Sequence, residues 1–207
     1  DVVDYSGSAS GGMYIYMDGS YGTGGDAAGD RLYNIEQVIG SAQDDHITGN
    51  DNGVTISAGA GNDVLTGGAG ADTLNGGTGN DTILSGAGAD IIDGGAGTDV
   101  ADYRNSNAAV SIANDGWAQG DVLANVEQIE GSASYDDTLR GSHNAAVATV
   151  LDGWGGNDAF VSYNAADTID GGAGIDSVDY TGSASGVTVR LNGTAGSGGD
   201  AAGDVIS

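Results

Sequence analysis

The sequence predicts an all-β protein, a parallel β-solenoid in which short turns and short strands alternate along the chain. A nine-residue pattern recurs from Gly40 to Tyr103, glycine accounts for 41 of the 207 residues, and proline is absent. Internal repetition at a fixed period is the signature of a repeat architecture. It therefore constrains the fold more strongly than any single motif.

The nine-residue frames agree with one another at two places. Seven consecutive frames open at Gly40, Gly49, Ala58, Gly67, Gly76, Ser85 and Gly94. The sixth place holds an acid in six of the seven frames: Asp45, Val54, Asp63, Asp72, Asp81, Asp90 and Asp99. The eighth place holds a large aliphatic residue in six of the seven: Ile47, Ile56, Leu65, Leu74, Ile83, Ile92 and Ala101. Acids and aliphatic residues thus recur in phase.

Each place in the frame has a physical requirement. Strand side chains alternate between two faces, so the eighth-place residue is expected to point inward from a short strand. The glycines suit a tight turn with positive φ, which glycine adopts at low cost. If two frames form one coil, residues eighteen apart stack at the interstrand spacing of about 4.8 Å. One edge of the solenoid then carries Asp45, Asp63, Asp81 and Asp99, and the other carries Asp72 and Asp90.

Stacked carboxylates predict a bound cation. Two unit charges about 5 Å apart repel by roughly 3 kcal/mol at an effective dielectric constant near 20. Ca2+ prefers oxygen-rich flexible loops, whereas Mg2+ needs a stricter octahedron and transition metals favour His or Cys. The alternative, glycine-rich turns with solvated acids, would mix both acidic residues, yet the 30 acids comprise 27 Asp and 3 Glu. We therefore expect several Ca2+ ions.

The nonapeptide resembles the repeat of RTX (repeats-in-toxin) proteins, a known repeat signature. The resemblance implies a right-handed parallel β-roll in which each Ca2+ lies between two loops on the same edge. Its ligands would be the sixth-place Asp of both loops, the second- and fourth-place carbonyls of one loop, and the first- and third-place carbonyls of the other.

Carried onto this chain, the resemblance implies four calcium sites. The first comprises Gly59, Gly61, Asp63, Gly76, Thr78 and Asp81, and the second Gly77, Gly79, Asp81, Gly94, Ala96 and Asp99. The third comprises Gly68, Gly70, Asp72, Ser85, Ala87 and Asp90, and the fourth Trp154, Gly156, Asp158, Gly171, Ala173 and Asp176. The frame at Gly49 departs from the pattern because Val54 replaces the acid.

Other acids are weaker metal candidates. Asp45 and Asp167 occupy sixth places, but Asp167 is expected to face Thr149 rather than a second acid. Glycine-rich loops outside the frames hold four more, for which an ion and a solvated turn are equally compatible with the sequence: Asp26, Asp30, Asp200 and Asp204. One residue is inserted at 134–137, so calcium binding by Asp136 or Asp137 is left open.

The chain divides into five predicted segments. Residues 1–39 form a β spacer, 40–103 a first nonapeptide block, 104–143 a second spacer, 144–180 a second block, and 181–207 the start of a third spacer. The two ends resemble each other, since DYSGSASGGMYI at 4–15 returns as DYTGSASGVTVR at 179–190. This repetition predicts an excerpt from a longer tandem protein.

Hydrophobic residues predict further strands and core positions. Alternation predicts strands at Met13–Met17 and Val187–Leu191. Inward-pointing residues are expected at Leu32, Ile35 and Ile39 ahead of the first block, and at Leu151, Phe160, Ile169 and Val178 in the second.

Composition limits the partners. A net charge of −26 with four Arg and no Lys excludes the basic face that nucleic-acid binding needs. It also opposes attraction to anionic membranes, and no apolar run approaches the ~20 residues of a membrane span. Cysteine is absent, so disulfides are excluded. A calcium-dependent fold suits the extracellular space, so we expect a secreted protein of a bacterial surface or matrix.

No catalytic constellation emerges, so a non-enzymatic function is expected. His46 and His143 are 97 residues apart, and Trp117 and Trp154 suit packing. The tandem organisation favours a structural segment of a large RTX adhesin, surface layer or matrix filament that folds on calcium binding. The alternative is the C-terminal β-roll of a type I-secreted enzyme such as a protease or lipase. Self-association into fibres or layers, through calcium bridges or open strand edges, is compatible with either function.

Overall fold

A computed structural model describes residues 1–113, 120–142, 147–163 and 165–207. These residues form short strands and two 3-10 turns, Gly25–Ala27 and Gly199–Ala201, so the predicted all-β fold is confirmed. Within the described part of the chain, no helix has the length and apolarity needed to cross a membrane. The chain separates into two compact units: unit 1 is Asp1–Ala101 with Leu123–Val126, and unit 2 is Asp102–Val122 with Glu127–Ser207.

The strands are short, mostly of three to six residues. In chain order they are β1 Val2–Asp4, β2 Tyr14–Tyr16, β3 Gln37–Ile39, β4 His46–Thr48, β5 Thr55–Ala60, β6 Val64–Gly68, β7 Thr73–Thr78, β8 Thr82–Gly86, β9 Ile91–Ala96, β10 Val100–Asp102, β11 Ser111–Ala113, β12 Val122–Ala124, β13 Gln128–Glu130, β14 Thr138–Arg140, β15 Val150–Asp152, β16 Ala159–Val161, β17 Thr168–Asp170, β18 Ser177–Asp179 and β19 Val205–Ile206.

Unit 1 is a parallel β-roll with two sheets. The odd-numbered strands follow the order β1-β3-β5-β7-β9, and the even-numbered strands follow β2-β4-β6-β8-β10. Ile56 lies opposite Leu74, and Leu74 lies opposite Ile92, each pair eighteen residues apart. Two nonapeptides therefore make one coil, as the sequence predicted.

The core of unit 1 is a double column of eighth-place residues. All seven of them are at most 1% exposed: Ile47, Ile56, Leu65, Leu74, Ile83, Ile92 and Ala101. Upstream of Gly40 the prediction for Ile39 is wrong, because Val38 is the fully buried residue and Ile39 is half-buried. The frames continue in register before Gly40 and place Val38 in an eighth position, opposite Ile56. Leu32 and Ile35 are also only half-buried.

The first spacer continues both sheets. Val3 of β1 lies opposite Val38, and Ile15 of β2 lies opposite Ile47. The predicted strand at Met13–Met17 is present as Tyr14–Tyr16, with Met13, Ile15 and Met17 buried.

Unit 2 has the same construction. Its sheets follow the orders β13-β15-β17-β19 and β11-β14-β16-β18. The predicted inward residues Leu151, Phe160 and Ile169 are at most 1% exposed, whereas Val178 is half-buried. Leu139 lies opposite Phe160 although 21 residues separate them. The three residues beyond eighteen lie after Leu139 and are distinct from the insertion at 134–137, and the strands nevertheless stay in register.

One predicted strand is absent from unit 2. Residues 187–191 form no strand and make only an isolated antiparallel bridge from Thr188 to Ser197. Alternating apolar residues are present there, but no strand described in unit 2 pairs with them. The division into five segments stays a prediction, and its boundary at 143/144 lies outside the described residues.

Candidate metal centre

The sixth-place acids lie inside the corners of the roll, a corner being the first six places of a frame. All six are at most 2% exposed: Asp45, Asp63, Asp72, Asp81, Asp90 and Asp99. On one edge the backbone N–H groups of Asp45, Asp63 and Asp81 each donate to Oδ1 of the Asp eighteen residues later, at 2.7, 2.8 and 2.8 Å. The other edge repeats the contact: Val54 donates to Asp72 and Asp72 to Asp90, both at 2.8 Å. One oxygen of each carboxylate therefore joins successive coils.

The second carboxylate oxygen has a different environment in part of the roll. Oδ2 of Asp63, Asp81 and Asp158 is buried and accepts no hydrogen bond. A buried charged oxygen without a partner costs several kcal/mol, on the order of the desolvation penalty of an ion. These atoms are therefore suited to a bound cation.

Backbone carbonyls also line the corners of the roll. The carbonyl oxygens of Gly59 and Gly61 face the Cα atoms of Gly77 and Gly79 in the next coil, so closely that a Cβ there would approach well inside 3.0 Å. A Cβ on Gly76 would likewise overlap Oδ2 of Asp81 and lie 2.6 Å from the carbonyl oxygen of Gly94. Glycine thus keeps open a space lined by carbonyl and carboxylate oxygens.

The first two predicted ligand sets are brought to the same edge by the roll. Gly59 pairs with Gly77, and Gly77 with Gly95, so the loops of successive coils lie in register. Among the expected carbonyl ligands, Thr78 O already accepts the N–H of Gly61 at 2.9 Å, and Ala96 O that of Gly79 at 2.9 Å. A carbonyl oxygen has two lone pairs, so this hydrogen bond leaves one for a metal ion.

The third and fourth predicted sets also occupy adjacent coils. In the third set, the carbonyl of Gly68 accepts the N–H of Ala87 at 2.9 Å. Gly68 also lies opposite Gly86 of the next coil. In the fourth, Asp158 donates its N–H to Oδ1 of Asp176 at 3.0 Å, although Asp176 is exposed. Trp154 takes the left-handed conformation there, with φ of 61°, at the place where the first three sets have glycine.

A scan against protein-family models matches residues 34–65, 52–83 and 66–101 to the RTX calcium-binding nonapeptide repeat. Residues 34–101 are RTX calcium-binding repeats. None of the curated proteins compared with the chain matches it. RTX nonapeptide repeats bind Ca2+, several ions per array. The chain therefore contains a calcium-binding β-roll segment, and the matched residues lie in unit 1.

The donors of the RTX corners fit Ca2+ rather than a transition metal. In the described ranges, no three His, Cys, Asp or Glu side chains are grouped closely enough to hold a metal ion by themselves. The corners instead offer one or two carboxylates together with glycine carbonyls, the oxygen-rich donor set that Ca2+ accepts. Gly59, Gly61, Asp63, Gly76, Thr78 and Asp81 would hold one ion, and Gly77, Gly79, Asp81, Gly94, Ala96 and Asp99 a second.

Burial inside the corners raises the proton affinity of their acids. Burial, with repulsion from Asp81, Asp45 and Asp44, raises the pKa of Asp63 to about 7 from 3.8. Burial likewise raises the pKa of Asp81, Asp158 and Asp167. Hydrogen bonds from backbone N–H groups act in the opposite direction but do not cancel the burial. The cation would thus replace a proton at these oxygens.

The weaker candidates have protein partners at both carboxylate oxygens. Asp45 accepts hydrogen bonds from Met13 N–H and from Ser41. Asp167 accepts the N–H of Thr149 at 2.8 Å, as expected from its position opposite Thr149, and the Ser162 hydroxyl at 2.7 Å.

The loop acids separate into two groups. Asp30 and Asp204 accept tyrosine hydroxyls, from Tyr5 at 2.8 Å and Tyr180 at 2.6 Å. Asp26 and Asp200 lie instead in the first turns of the two 3-10 segments. Asp204 also accepts the N–H of Asp167 at 2.9 Å and therefore extends the contacts between coils in unit 2.

Two features were missed in the sequence. Asp137, not Asp136, is the buried acid after the insertion, and its N–H donates to Oδ1 of Asp158 at 2.8 Å. The second feature is a hydrogen bond from a tyrosine hydroxyl to an aspartate that recurs with each spacer. Besides the bonds of Tyr5 and Tyr180, the hydroxyl of Tyr103 donates to Asp121 at 2.7 Å. The recurring Asp-Tyr and Gly-Asp dipeptides are the signal that could have revealed it.

The aromatic residues near His46 form a surface contact. The ring of His46 stacks on Tyr14 with centroids 4.6 Å apart and an interplanar angle of 12°. Both side chains are exposed. His143 and Trp117 lie outside the described residues.

Proposed function

We propose that this chain is a non-catalytic, calcium-stiffened structural segment of a large extracellular protein of the adhesin, surface-layer or matrix type. The observation that carries the proposal is the tyrosine–aspartate hydrogen bond that recurs with the three spacers. Tyr5, Tyr103 and Tyr180 each donate a hydroxyl to an acid further along the chain, at 2.8, 2.7 and 2.6 Å. A contact that recurs with each spacer is typical of a tandem structural protein.

The buried acids support a mechanical rather than a chemical role. Asp63 and Asp81 point into the corners, where they join neighbouring coils through their N–H and Oδ1 groups. Calcium between the coils would neutralise the repulsion and link the same groups. Because calcium is plentiful outside cells and scarce inside them, the segment would fold after export, consistent with a secreted protein.

Single-molecule force spectroscopy tests the structural role. The chain is pulled between its ends in calcium and again after exchange into EDTA. We expect discrete unfolding peaks in calcium and a featureless extension in EDTA, since the coils lose the ions that hold them together. Identical force–extension curves in both buffers would contradict the proposal.

The architecture of the parent protein separates this proposal from the exported enzyme. The equivalent acids Asp1, Asp99 and Asp176 lie 98 and 77 residues apart along the chain. We expect the parent gene to encode many more units of this length. A catalytic domain upstream of a single array would instead favour the roll of a secreted protease or lipase.

A further inference from the structure

Two corners, one in each unit, have serine at the second place of the frame. Gly59, Gly68 and Gly77 occupy that place with φ of 117°, 135° and 109°. In the frames that open at Gly40 and Gly131 the residue is serine, and neither Ser41 nor Ser132 has a positive φ. The backbone therefore turns differently at these two corners.

The first serine corner satisfies its carboxylate completely. Oδ1 of Asp45 accepts the N–H of Met13 at 2.8 Å. Oδ2 accepts both the N–H and the hydroxyl of Ser41, at 2.7 and 2.9 Å. The carboxylate is fully buried, so these three donors provide its stabilisation in place of water.

The second serine corner, in unit 2, repeats the arrangement. Oδ1 of Asp137 accepts the N–H of Val110 at 2.8 Å, and Oδ2 accepts the N–H of Ser132 at 2.7 Å. The Ser132 hydroxyl lies 2.9 Å from both carboxylate oxygens. The two corners share the residues Gly-Ser-Ala ahead of an Asp-Asp pair, and each is followed by further coils of its own unit.

The glycine corners present the opposite situation. Asp63 and Asp81 make the same Oδ1 contact with the preceding coil, yet their Oδ2 atoms are buried and accept no hydrogen bond. An N–H or O–H donor directs positive charge at the oxygen and occupies its lone pairs. A cation and a serine corner therefore compete for one position.

We propose that the second-place residue decides whether a corner takes calcium, so that glycine corners bind the ion and the corners of Ser41 and Ser132 do not. The inference rests on the proposed calcium-dependent fold and adds which of the buried acids bind the ion. Serine supplies two hydrogen bonds where calcium would otherwise bind. In unit 1 a corner that needs no ion thus precedes the glycine corners, and Asp45 and Asp137 are stabilised before calcium arrives.

Anomalous diffraction from crystals grown in calcium, with terbium exchange to strengthen the signal, tests this assignment directly. We expect anomalous peaks between Asp63 and Asp81 and between Asp81 and Asp99, and none within coordination distance of Asp45 or Asp137. Peaks at the glycine and serine corners alike would overturn the inference but keep the calcium-binding function. A map without peaks at any corner would overturn the function itself.

Equilibrium dialysis with radioactive calcium provides the solution test, using matched variants. Asp45→Asn is expected to leave the number of bound ions unchanged, whereas Asp81→Asn is expected to lower it by two because Asp81 belongs to two sites. Circular dichroism in calcium verifies that each variant folds. Loss of one ion in folded Asp45→Asn would overturn the inference, and if that variant fails to fold, the anomalous map of the wild-type chain decides.

Discussion

Glycine at the fourth place of a corner is required by both its backbone angle and its surroundings. Gly79 has a φ of 126°, and a Cβ on it would overlap the carbonyl oxygen of Gly61 in the preceding coil. An L-residue is strained at such an angle, and a backbone carbonyl cannot move aside as a flexible side chain could. Single glycine residues therefore keep the space of a calcium corner open.

Replacing this glycine is expected to destabilise unit 1 strongly. We predict that Gly79→Ala lowers the free energy of unfolding by about 2–4 kcal/mol in calcium, measured by urea denaturation. Gly7→Ala is the matched control, since Gly7 has no positive φ and its Cβ would meet no atom within 4 Å. Equal effects of the two changes would contradict this account of the corner.

The raised pKa of Asp63 predicts a pH dependence of the metal-free chain. Its folded pKa is about 7 and the ordinary value is 3.8. A group with a raised folded pKa contributes stability that is present below its unfolded pKa and is lost as pH rises through its folded pKa. We therefore expect the metal-free roll to gain structure and melting temperature from pH 8 to pH 5.

Calcium reverses the direction of that dependence. Because the ion and the proton compete for the same carboxylate, calcium affinity should fall as pH decreases below about 7. Calorimetric titration at several pH values measures this trend, and Asp63→Asn should flatten it. Metal-free stability that rises from pH 5 to pH 8 would disagree with the burial of this acid.

At the scale of the strand, alternation separates the core from the surface. Leu74 on β7 is fully buried between Ile56 and Ile92, while Ile91 on β9 is 53% exposed. A core aliphatic residue replaced by alanine loses its burial and leaves a cavity, at a cost of about 2–5 kcal/mol.

The two positions provide a matched pair of variants. We predict that Leu74→Ala lowers the free energy of unfolding in calcium by about 3 kcal/mol, and Ile91→Ala by about 1 kcal/mol or less. Chemical denaturation monitored by far-UV circular dichroism measures the free energy of unfolding of both variants. A larger loss for Ile91→Ala would show that the column of eighth-place residues is not the core.

The strands show how much of this fold the sequence could predict. A strict period gave the eighteen-residue coil and the buried column, because the same requirement recurs in every frame. The alternation of apolar and polar residues at Val187–Leu191 was misleading, since a strand also needs a pairing partner. Of these residues only Thr188 forms a bridge, to Ser197. Which of Val38 and Ile39 is buried depends on register alone. Continuing the nine-residue frames upstream of Gly40 would have identified Val38.

The metal corners were predictable in part for the same reason. The period identified Asp63 and Asp81, and the coils place them together. It did not reveal the closed corner of Asp45, because the hydrogen bonds of Ser41 depend on the local turn. Asp137 was ambiguous because an insertion breaks the count, and its burial by the surrounding turn resolves it.

For the whole molecule, charge dominates behaviour in solution. The net charge is −26, and acids such as Asp18, Asp44, Asp51 and Asp136 remain exposed. Repulsion at this level keeps chains apart, and divalent ions that bridge carboxylates of neighbouring molecules oppose it.

We therefore expect calcium to promote self-association. Light scattering should show particle mass rising from low to high millimolar calcium and returning in EDTA. Magnesium at equal ionic strength is the control, since it should screen the charge without forming the same bridges. An unchanged particle mass across the calcium range would contradict this prediction.

The central claim is that calcium between successive coils allows the buried acids to stack. Far-UV circular dichroism during a calcium titration at pH 7.5, followed by EDTA, tests it most directly. We predict a disordered spectrum without calcium, a cooperative change to a β spectrum as calcium is added, and full reversal by the chelator. A β spectrum with the same melting temperature before and after removal of calcium would contradict the claim.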